Sequence, residues 1–302
     1  MAKKHSRFIY WLQICLFKMF LIFAKISPVS FSRQIWKRIS ILAFKLLKAR
    51  RLLTIENIRC ARECGFLASS LDDYHLAQKS WEHLGLVGGE FFYYHSLAPE
   101  KLKEFITIEG EDNLKKILAQ KKGAVMVTGH IGNWELLGIY LSLLGYPLSP
   151  LVKIQENSFF DDFVQKKRQS VGIKVIPNHG FLRPIIAAFR RNEIVPFLID
   201  QDARRKGIMV KVFGREASIP PGAAEFSIKT GTPAFFSYII EDYPRHYTVH
   251  ISEEINLPRT GNIKQDLFDA TTIFMNLIQE VVQKYPEQWL WMHSLWPTKI
   301  KM

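Results

Sequence analysis

The stretch AVMVTGHIGNWE, residues 124–135, decides the fold class of this 302-residue chain. Its first five residues form an apolar run of the length of a buried strand. The six residues after the stretch, LLGIYL at 136–141, have the apolar spacing of a helix. The segment therefore predicts a strand that turns directly into a helix. Short apolar runs and helical stretches continue to alternate toward residue 284, which is typical of an α/β fold.

Working outward from this turn, we predict an α/β domain in which a mixed sheet is flanked by helices. The predicted strands are residues 124–128, 173–176, 194–199, 208–213, 233–240 and 246–255. The predicted helical stretches are residues 71–86, 99–120, 181–191, 221–230 and 266–284.

The turn itself carries the residues that predict chemistry. His130 follows the strand directly, and Glu135 lies one turn into the helix, in a His-x4-Glu pattern (HX4E). We expect His130 to act as a general base and Glu135 to accept the other ring N–H and fix the tautomer. Backbone N–H groups at Gly132 and Asn133 would stabilise an oxyanion at the helix N-terminus. The alternative is that His130 only caps the helix.

Two further groups of polar residues have both a functional and a structural interpretation. Asp200, Gln201 and Asp202 follow the strand at residues 194–199, at the strand end where ligands of α/β sheets bind, so the carboxylates would hold a sugar hydroxyl or cap the next turn. Lys166, Lys167 and Arg168 would anchor a phosphate or an acidic donor, or form a solvated helix face.

The net charge of +13 is concentrated in an N-terminal arm. Of the 41 Lys and Arg residues, twelve lie in residues 1–55, which contain no Asp or Glu, and the other 29 are nearly balanced by 28 acidic residues. We therefore divide the chain into an arm, residues 1–55, and a catalytic domain, residues 56–302.

The arm is apolar as well as basic. Residues 8–24 are rich in Phe, Leu and Ile, and residues 39–47 repeat the mixture. The first run is at the short end for spanning a bilayer and includes Lys18, so it would either cross the membrane or lie in its interface. Its continuous apolar blocks favour a membrane over nucleic acid as partner. The basic residues that follow favour a cytoplasmic catalytic domain.

The three cysteines predict no disulfide framework, and the sequence shows no GxSxG, P-loop or GxGxxG motif. His246 and His250 fall on one side of a predicted strand, but a zinc site would require further ligands. We expect neither a metal nor a cofactor.

Four ordered segments make the chain resemble the late acyltransferases of lipid A biosynthesis, the lauroyl/myristoyl-transferase type within the lysophospholipid acyltransferase superfamily. They are GHIGNWE at residues 129–135, the stretch from Asp162 to Arg168 followed by Gly172, DQD at residues 200–202 leading to VFG at residues 212–214, and YPEQWLWMH at residues 285–293.

The resemblance implies acyl transfer from acyl-carrier protein to a hydroxyl of a phosphorylated glucosamine lipid at the cytoplasmic face of the inner membrane. It implies His130 and Glu135 as catalytic residues. The expected substrate-binding residues are Gly132, Asn133, Trp134, Arg168, Asp200 and Gln201. Alternatives are another glycolipid or a lysophospholipid as acceptor, with acyl-CoA as donor, and a membrane-bound interaction protein without catalysis.

Overall fold

The computed structural model describes residues 28–94, 97, 99–152, 158–177 and 182–296. The apolar run of residues 8–24 lies outside these ranges, so the prediction that it spans or lies on a bilayer is not addressed by the structure. Among the helices that are described, none combines the length and apolar character needed to cross a membrane.

The helices and strands alternate along most of the described chain. The helices are α1 (Val29–Leu46), α2 (Lys48–Glu63), α3 (Asp73–Tyr94), α4 (Pro99–Lys103), α5 (Glu111–Ala119), α6 (Trp134–Leu143), α7 (Ser158–Ser170), α8 (Leu182–Arg190), α9 (Gly222–Thr230) and α10 (Ile263–Lys284). The strands are β1 (Ile106–Glu109), β2 (Ala124–Thr128), β3 (Leu151–Val152), β4 (Ile176–Pro177), β5 (Ile194–Leu198), β6 (Ile208–Val212), β7 (Arg215–Ile219), β8 (Ala234–Tyr243) and β9 (His246–Glu254). Short 3₁₀ turns occupy Arg204–Lys206 and Pro286–Gln288.

The central sheet has the strand order β1-β9-β8-β2-β5. β2 runs parallel to both of its neighbours, β5 and β8, whereas β8 and β9 form an antiparallel hairpin. The predicted mixed α/β sheet flanked by helices is therefore confirmed. Because β2 and β5 are parallel neighbours, their carboxyl ends meet at one edge of the sheet, where ligands bind in folds of this kind.

Both faces of β2 are covered, which explains its unbroken apolar sequence. Val125 and Val127 face the larger core with α10, whereas Ala124 and Met126 face a second core with α6. All five residues of the strand are buried. The alternation of side chains along a strand thus anchors helices on opposite faces of the sheet.

Two predicted elements differ from the structure. The helical stretch expected at residues 99–120 is interrupted by β1, which pairs in parallel with β9, and Gly110 starts α5 in a left-handed conformation. Of the strand expected at residues 173–176, only Ile176 pairs, in the two-residue strand β4. In both places pairing with a distant strand, which local sequence does not encode, decided the backbone conformation.

The described part of the arm packs onto the domain. α1 lies along α3, and Phe44 of α1 and Ile58 of α2 are fully buried in the larger core. The boundary predicted at residue 55 falls within α2. The N-terminal helices therefore share a core with the sheet.

The turn between β2 and α6 requires glycine at residue 132. Gly132 has φ of 56°, and a Cβ atom there would lie 1.6 Å from the carbonyl oxygen of Ile239 on β8. The turn is therefore pressed against the backbone of the neighbouring strand.

We predict that Gly132→Ala strongly destabilises the fold, because the left-handed conformation alone costs about 1–2 kcal/mol and the overlap with Ile239 forces the backbone to move. Denaturant unfolding would measure the loss. Gly88→Ala on α3 is the control, since its Cβ has open space, and alanine favours a helix by up to about 1 kcal/mol. Equal free energies of unfolding in the two variants would contradict the requirement for glycine at residue 132.

Candidate active site

His130 and Asp200 form the centre of the candidate site. The ring Nδ1 of His130 lies 2.7 Å from Oδ1 of Asp200, and the backbone N–H of His130 donates to Oδ2 at 2.6 Å. Both carboxylate oxygens therefore hold one histidine, one through its side chain and the other through its backbone.

Strand register explains why these two residues meet. Thr128 at the end of β2 is paired with Leu198 at the end of β5. His130 and Asp200 each follow that pair by two residues, so the two parallel strands deliver them to the same point. Gly129 makes the close approach possible, because a Cβ there would lie 2.9 Å from Oδ2 of Asp200.

Asp200 is almost completely buried, with 3% of its surface exposed. The indole N–H of Trp289 donates to Oδ2 at 2.8 Å, which adds a third donor to the two from His130. Burial by itself raises the pKa of this carboxyl, but the charge of His130 and these hydrogen bonds outweigh it and bring the pKa below its usual value. The site therefore favours an ionised Asp200.

The hydrogen bonds determine which nitrogen of His130 is available for proton transfer. With Nδ1–H donated to Asp200, Nε2 carries the lone pair. The side-chain N–H of Gln201 donates to this Nε2 at 3.2 Å. The ring is also enclosed by Trp134 and His293, whose ring centroids lie 5.0 and 5.4 Å away. This environment provides a basic nitrogen in a fixed orientation.

The prediction that Glu135 orients His130 is wrong, because Asp200 occupies that position. Glu135 instead accepts a hydrogen bond from Nη2 of Arg168 at 2.7 Å. Arg168 is thus an ion-pair partner inside the site rather than part of a solvated helix face, whereas Lys166 of the same helix is exposed.

The predicted oxyanion donor at Gly132 is also corrected. Its N–H donates to the carbonyl oxygen of Gln288 at 2.7 Å, so it is already committed to a backbone contact. The side chain of Asn133 is buried and caps α6, its Oδ1 accepting from the N–H of Leu136 at 3.0 Å. Asp200, predicted to hold a sugar hydroxyl or cap a turn, holds His130.

A cavity of about 560 Å³ opens beside Nε2. Its polar end is formed by His130, Trp134, Glu135, Arg168 and Gln201. The remaining walls are mainly apolar and are contributed by Met126, Leu137, Gly138, Leu148, Pro150, Leu151, Val152, Ile173, Pro196 and Leu198, together with the polar Thr128. Of the predicted substrate-binding residues, Trp134, Arg168 and Gln201 line this cavity. A long apolar group would fit its walls while a polar reacting centre sits near His130.

The family of bacterial lipid A biosynthesis acyltransferases matches residues 1–298 of the chain. The chain belongs to this family. The lipid A biosynthesis palmitoleoyltransferase of Escherichia coli (strain K12) is 24% identical over 266 residues, which cover 87% of this chain and 83% of that protein. A lipid A biosynthesis acyltransferase of Haemophilus influenzae is 22% identical over 201 residues, 66% of this chain and 61% of that protein.

A second kind of relative matches a shorter part of the chain at slightly higher identity. A phosphatidylinositol mannoside acyltransferase of Mycobacterium tuberculosis (strain CDC 1551 / Oshkosh) is 30% identical over 159 residues, half of this chain. The chain spans about half the length of the mycobacterial relatives that it matches.

The segments that carry the family resemblance meet at the site. Phe213, at the tip of the β6–β7 hairpin, packs against Trp289, Trp291 and Trp296 with ring centroids 5.6, 5.8 and 6.3 Å away. Trp289 in turn donates to Asp200. The C-terminal aromatic cluster therefore supports the carboxylate that holds His130, a contact for which local sequence carried no signal.

His293 is a second histidine at the site. It ends the segment YPEQWLWMH at residues 285–293, but local sequence did not indicate that its ring lies beside His130. Asn57 of α2 fixes its backbone, donating to the carbonyl oxygens of Trp291 and His293 at 2.8 and 2.9 Å. Burial, followed by the positive charges of His130 and Arg50, lowers the pKa of His293 to about 4, although Asp200 acts in the opposite direction. His293 is therefore neutral at neutral pH.

We predict that His293 makes folding sensitive to acid. In the unfolded chain its pKa returns to about 6.5, so between that value and the folded pKa of about 4 the unfolded state binds the proton more tightly. Its contribution to stability is complete above pH 6.5 and is lost as pH falls toward 4. Denaturant unfolding from pH 7 to 4 should show a steeper loss for the natural protein than for His293→Gln. If the free energy of unfolding falls equally with pH in the natural protein and in His293→Gln, this expectation is wrong.

Proposed function

We propose that this protein transfers a fatty acyl chain from a thioester to a hydroxyl group of a lipid A precursor. The observation that carries the proposal is the His130–Asp200 pair at the polar end of an apolar cavity. Family membership supports an acyltransferase that acts on a glycolipid.

In this mechanism the acceptor hydroxyl replaces Gln201 as the hydrogen-bond donor to Nε2 of His130. Nε2 then takes the proton of the hydroxyl as its oxygen attacks the thioester carbonyl. The carbon–oxygen bond forms, the carbon–sulfur bond then breaks, and the proton passes from His130 to the departing thiolate. Asp200 keeps the ring in the reactive tautomer and stabilises the imidazolium between these steps. General base catalysis of this kind contributes roughly a hundred- to ten-thousand-fold in rate.

The first turn of α6 supplies oxyanion donors in this proposal. Trp134 and Glu135 are the first two residues of the helix, and N–H groups at these positions have no acceptor within a helix. The helix dipole adds positive potential at the same place. One well-aimed donor of this type is worth about 3–4 kcal/mol in transition-state stabilisation.

In this proposal the acyl chain lies along the apolar walls of the cavity. Each methylene buried there contributes about 0.8 kcal/mol of hydrophobic stabilisation. The proposed donor is acyl-carrier protein, an acidic partner that suits exposed basic residues such as Lys166 and the 3₁₀ turn Arg204–Lys206. Acyl-CoA is the alternative donor. Another glycolipid is the alternative acceptor, which the mannoside acyltransferases among the relatives favour.

The outer face of α1 supports association with the cytoplasmic face of the inner membrane. Phe31, Ile39, Leu42 and Leu46 are 46–70% exposed on this helix. Lys45 is exposed beside them, and α1 contains no acidic residue. An exposed apolar stripe with basic neighbours matches the interface of an anionic bilayer.

We predict that a nitroxide label at Leu42→Cys enters the lipid phase when the full chain binds phosphatidylglycerol-containing vesicles. The host would carry serine at Cys15, Cys60 and Cys64. Electron paramagnetic resonance should show high collision with oxygen and low collision with a water-soluble nickel complex. A label at Leu182→Cys is the matched control, because Leu182 is 59% exposed on α8. Equal nickel access at both labels would contradict the α1 assignment.

The central test is an assay of the purified full chain in lipid with labelled acyl-carrier-protein thioesters. We expect ester product on a tetra- or penta-acylated lipid A precursor, with the rate reduced at least about a hundredfold in His130→Ala and in Asp200→Asn. Circular dichroism of both variants would verify folding.

Three outcomes would change the assignment. Retained turnover in folded His130→Ala would exclude this residue as the base. Product only on a lysophospholipid or another glycolipid would retain the chemistry and replace the acceptor. Absence of product from every donor and acceptor would favour a membrane-bound interaction protein.

A further inference from the structure

A buried polar network contacts the turn between β2 and α6 that carries His130. Glu90 of α3 is at its centre, with 3% of its surface exposed. Its Oε1 accepts from the hydroxyl of Tyr247 at 2.7 Å, and its Oε2 accepts from the side-chain N–H of Asn133 at 2.7 Å. Arg33 of α1 forms an ion pair with the same carboxylate.

Arg33 connects this network to the N-terminal arm. It pairs with both Glu90 and Glu241, and its Nη1 donates to the hydroxyl of Tyr247 at 3.0 Å. Only 9% of its side chain is exposed. Arg33 therefore supplies the counter-charge that a carboxylate requires inside a protein core.

Asn133 joins the network to the active site. Its Oδ1 caps α6 by accepting from Leu136, while its amide N–H is committed to Glu90. With both ends of the amide engaged, the side chain is fixed in one orientation. Asn133 lies between His130 and Trp134, so its orientation sets the direction of the turn that carries both.

We propose that Glu90 is a positioning residue for acyl transfer. Through Asn133 it fixes the N-terminal turn of α6, and with it the N–H groups of Trp134 and Glu135, relative to Nε2 of His130. This inference rests on the proposed function, because the alignment matters only if a developing oxyanion binds at that turn. It assigns a role in the reaction to a residue that touches neither substrate nor reacting atoms.

The test compares kcat, KM and melting temperature for Glu90→Gln and Asp266→Asn in the transfer assay. Glutamine has one acceptor oxygen where Glu90 uses two, and it lacks the charge that pairs with Arg33, so the contacts to Asn133 and Tyr247 cannot both be kept as they are. Asp266 is the matched control, a carboxylate with 1% exposure that accepts from the backbone N–H and hydroxyl of Thr260. Both variants should melt at a lower temperature.

We expect Glu90→Gln to lower kcat about 10- to 100-fold, with KM for the thioester unchanged within about twofold, because a misdirected turn impairs the transition state rather than ground-state binding. Asp266→Asn should leave kcat within about twofold of the natural protein. Equal kcat in the two variants would overturn the proposal and leave Glu90 as a residue of stability only.

Asn133→Ser provides an independent variant if Glu90→Gln fails to fold. Serine retains an oxygen that can cap α6 but has no amide N–H for Glu90. We expect the same kcat loss as in Glu90→Gln, and no further loss in the double variant. Full activity of Asn133→Ser, or additive losses of kcat in the double variant, would contradict the proposal that Glu90 acts through Asn133.

Absence of transfer by the natural protein would instead refute the proposed function itself. The measurement on the natural protein therefore separates failure of the function from failure of the role given to Glu90.

Discussion

The parallel pairing of β2 with β5 is the constraint on which the site depends. It aligns Thr128 with Leu198 and thereby places His130 and Asp200 two residues beyond a shared edge. A shift of one residue in this register would turn every side chain of β2 to the opposite face and separate the pair. The buried apolar residues on both faces of β2 make such a shift costly, so the cores that stabilise the sheet also fix the position of His130 relative to Asp200.

The turn between β2 and α6 is held on several sides, and each contact comes from a different part of the chain. Gly132 packs against β8 and donates to Gln288, while Asn133 is fixed by Glu90. Trp289 completes the hydrogen bonds to Asp200. Because buried polar groups are costly unless they are paired, these contacts support one another. A histidine held in this way loses little orientational freedom when a substrate binds.

The arrangement suits the proposed transfer of an acyl chain to a lipid acceptor. Apolar walls extend from the polar end of the cavity, and the ion pair between Glu135 and Arg168 lies at that end rather than on His130. In the N-terminal part of the described chain, α1 turns Arg33 inward and Leu42 outward. One helix thus contributes both to the buried network around Glu90 and to an exposed apolar surface.

Local sequence determined the strand–turn–helix around His130, the alternation of strands and helices, and the basic, acid-free composition of the arm, because these follow from residue type and spacing. It also singled out Asp200 and Gln201 as residues at a strand end. Tertiary structure decided which carboxylate orients His130: Glu135 was nearer in sequence, but strand order brought Asp200 to the ring. For the same reason, local sequence did not predict strand β1 or the hydrogen bond from Asn133 to Glu90. Strand order and side-chain contacts between distant segments depend on how elements pack, which the periodicity of a single segment does not encode.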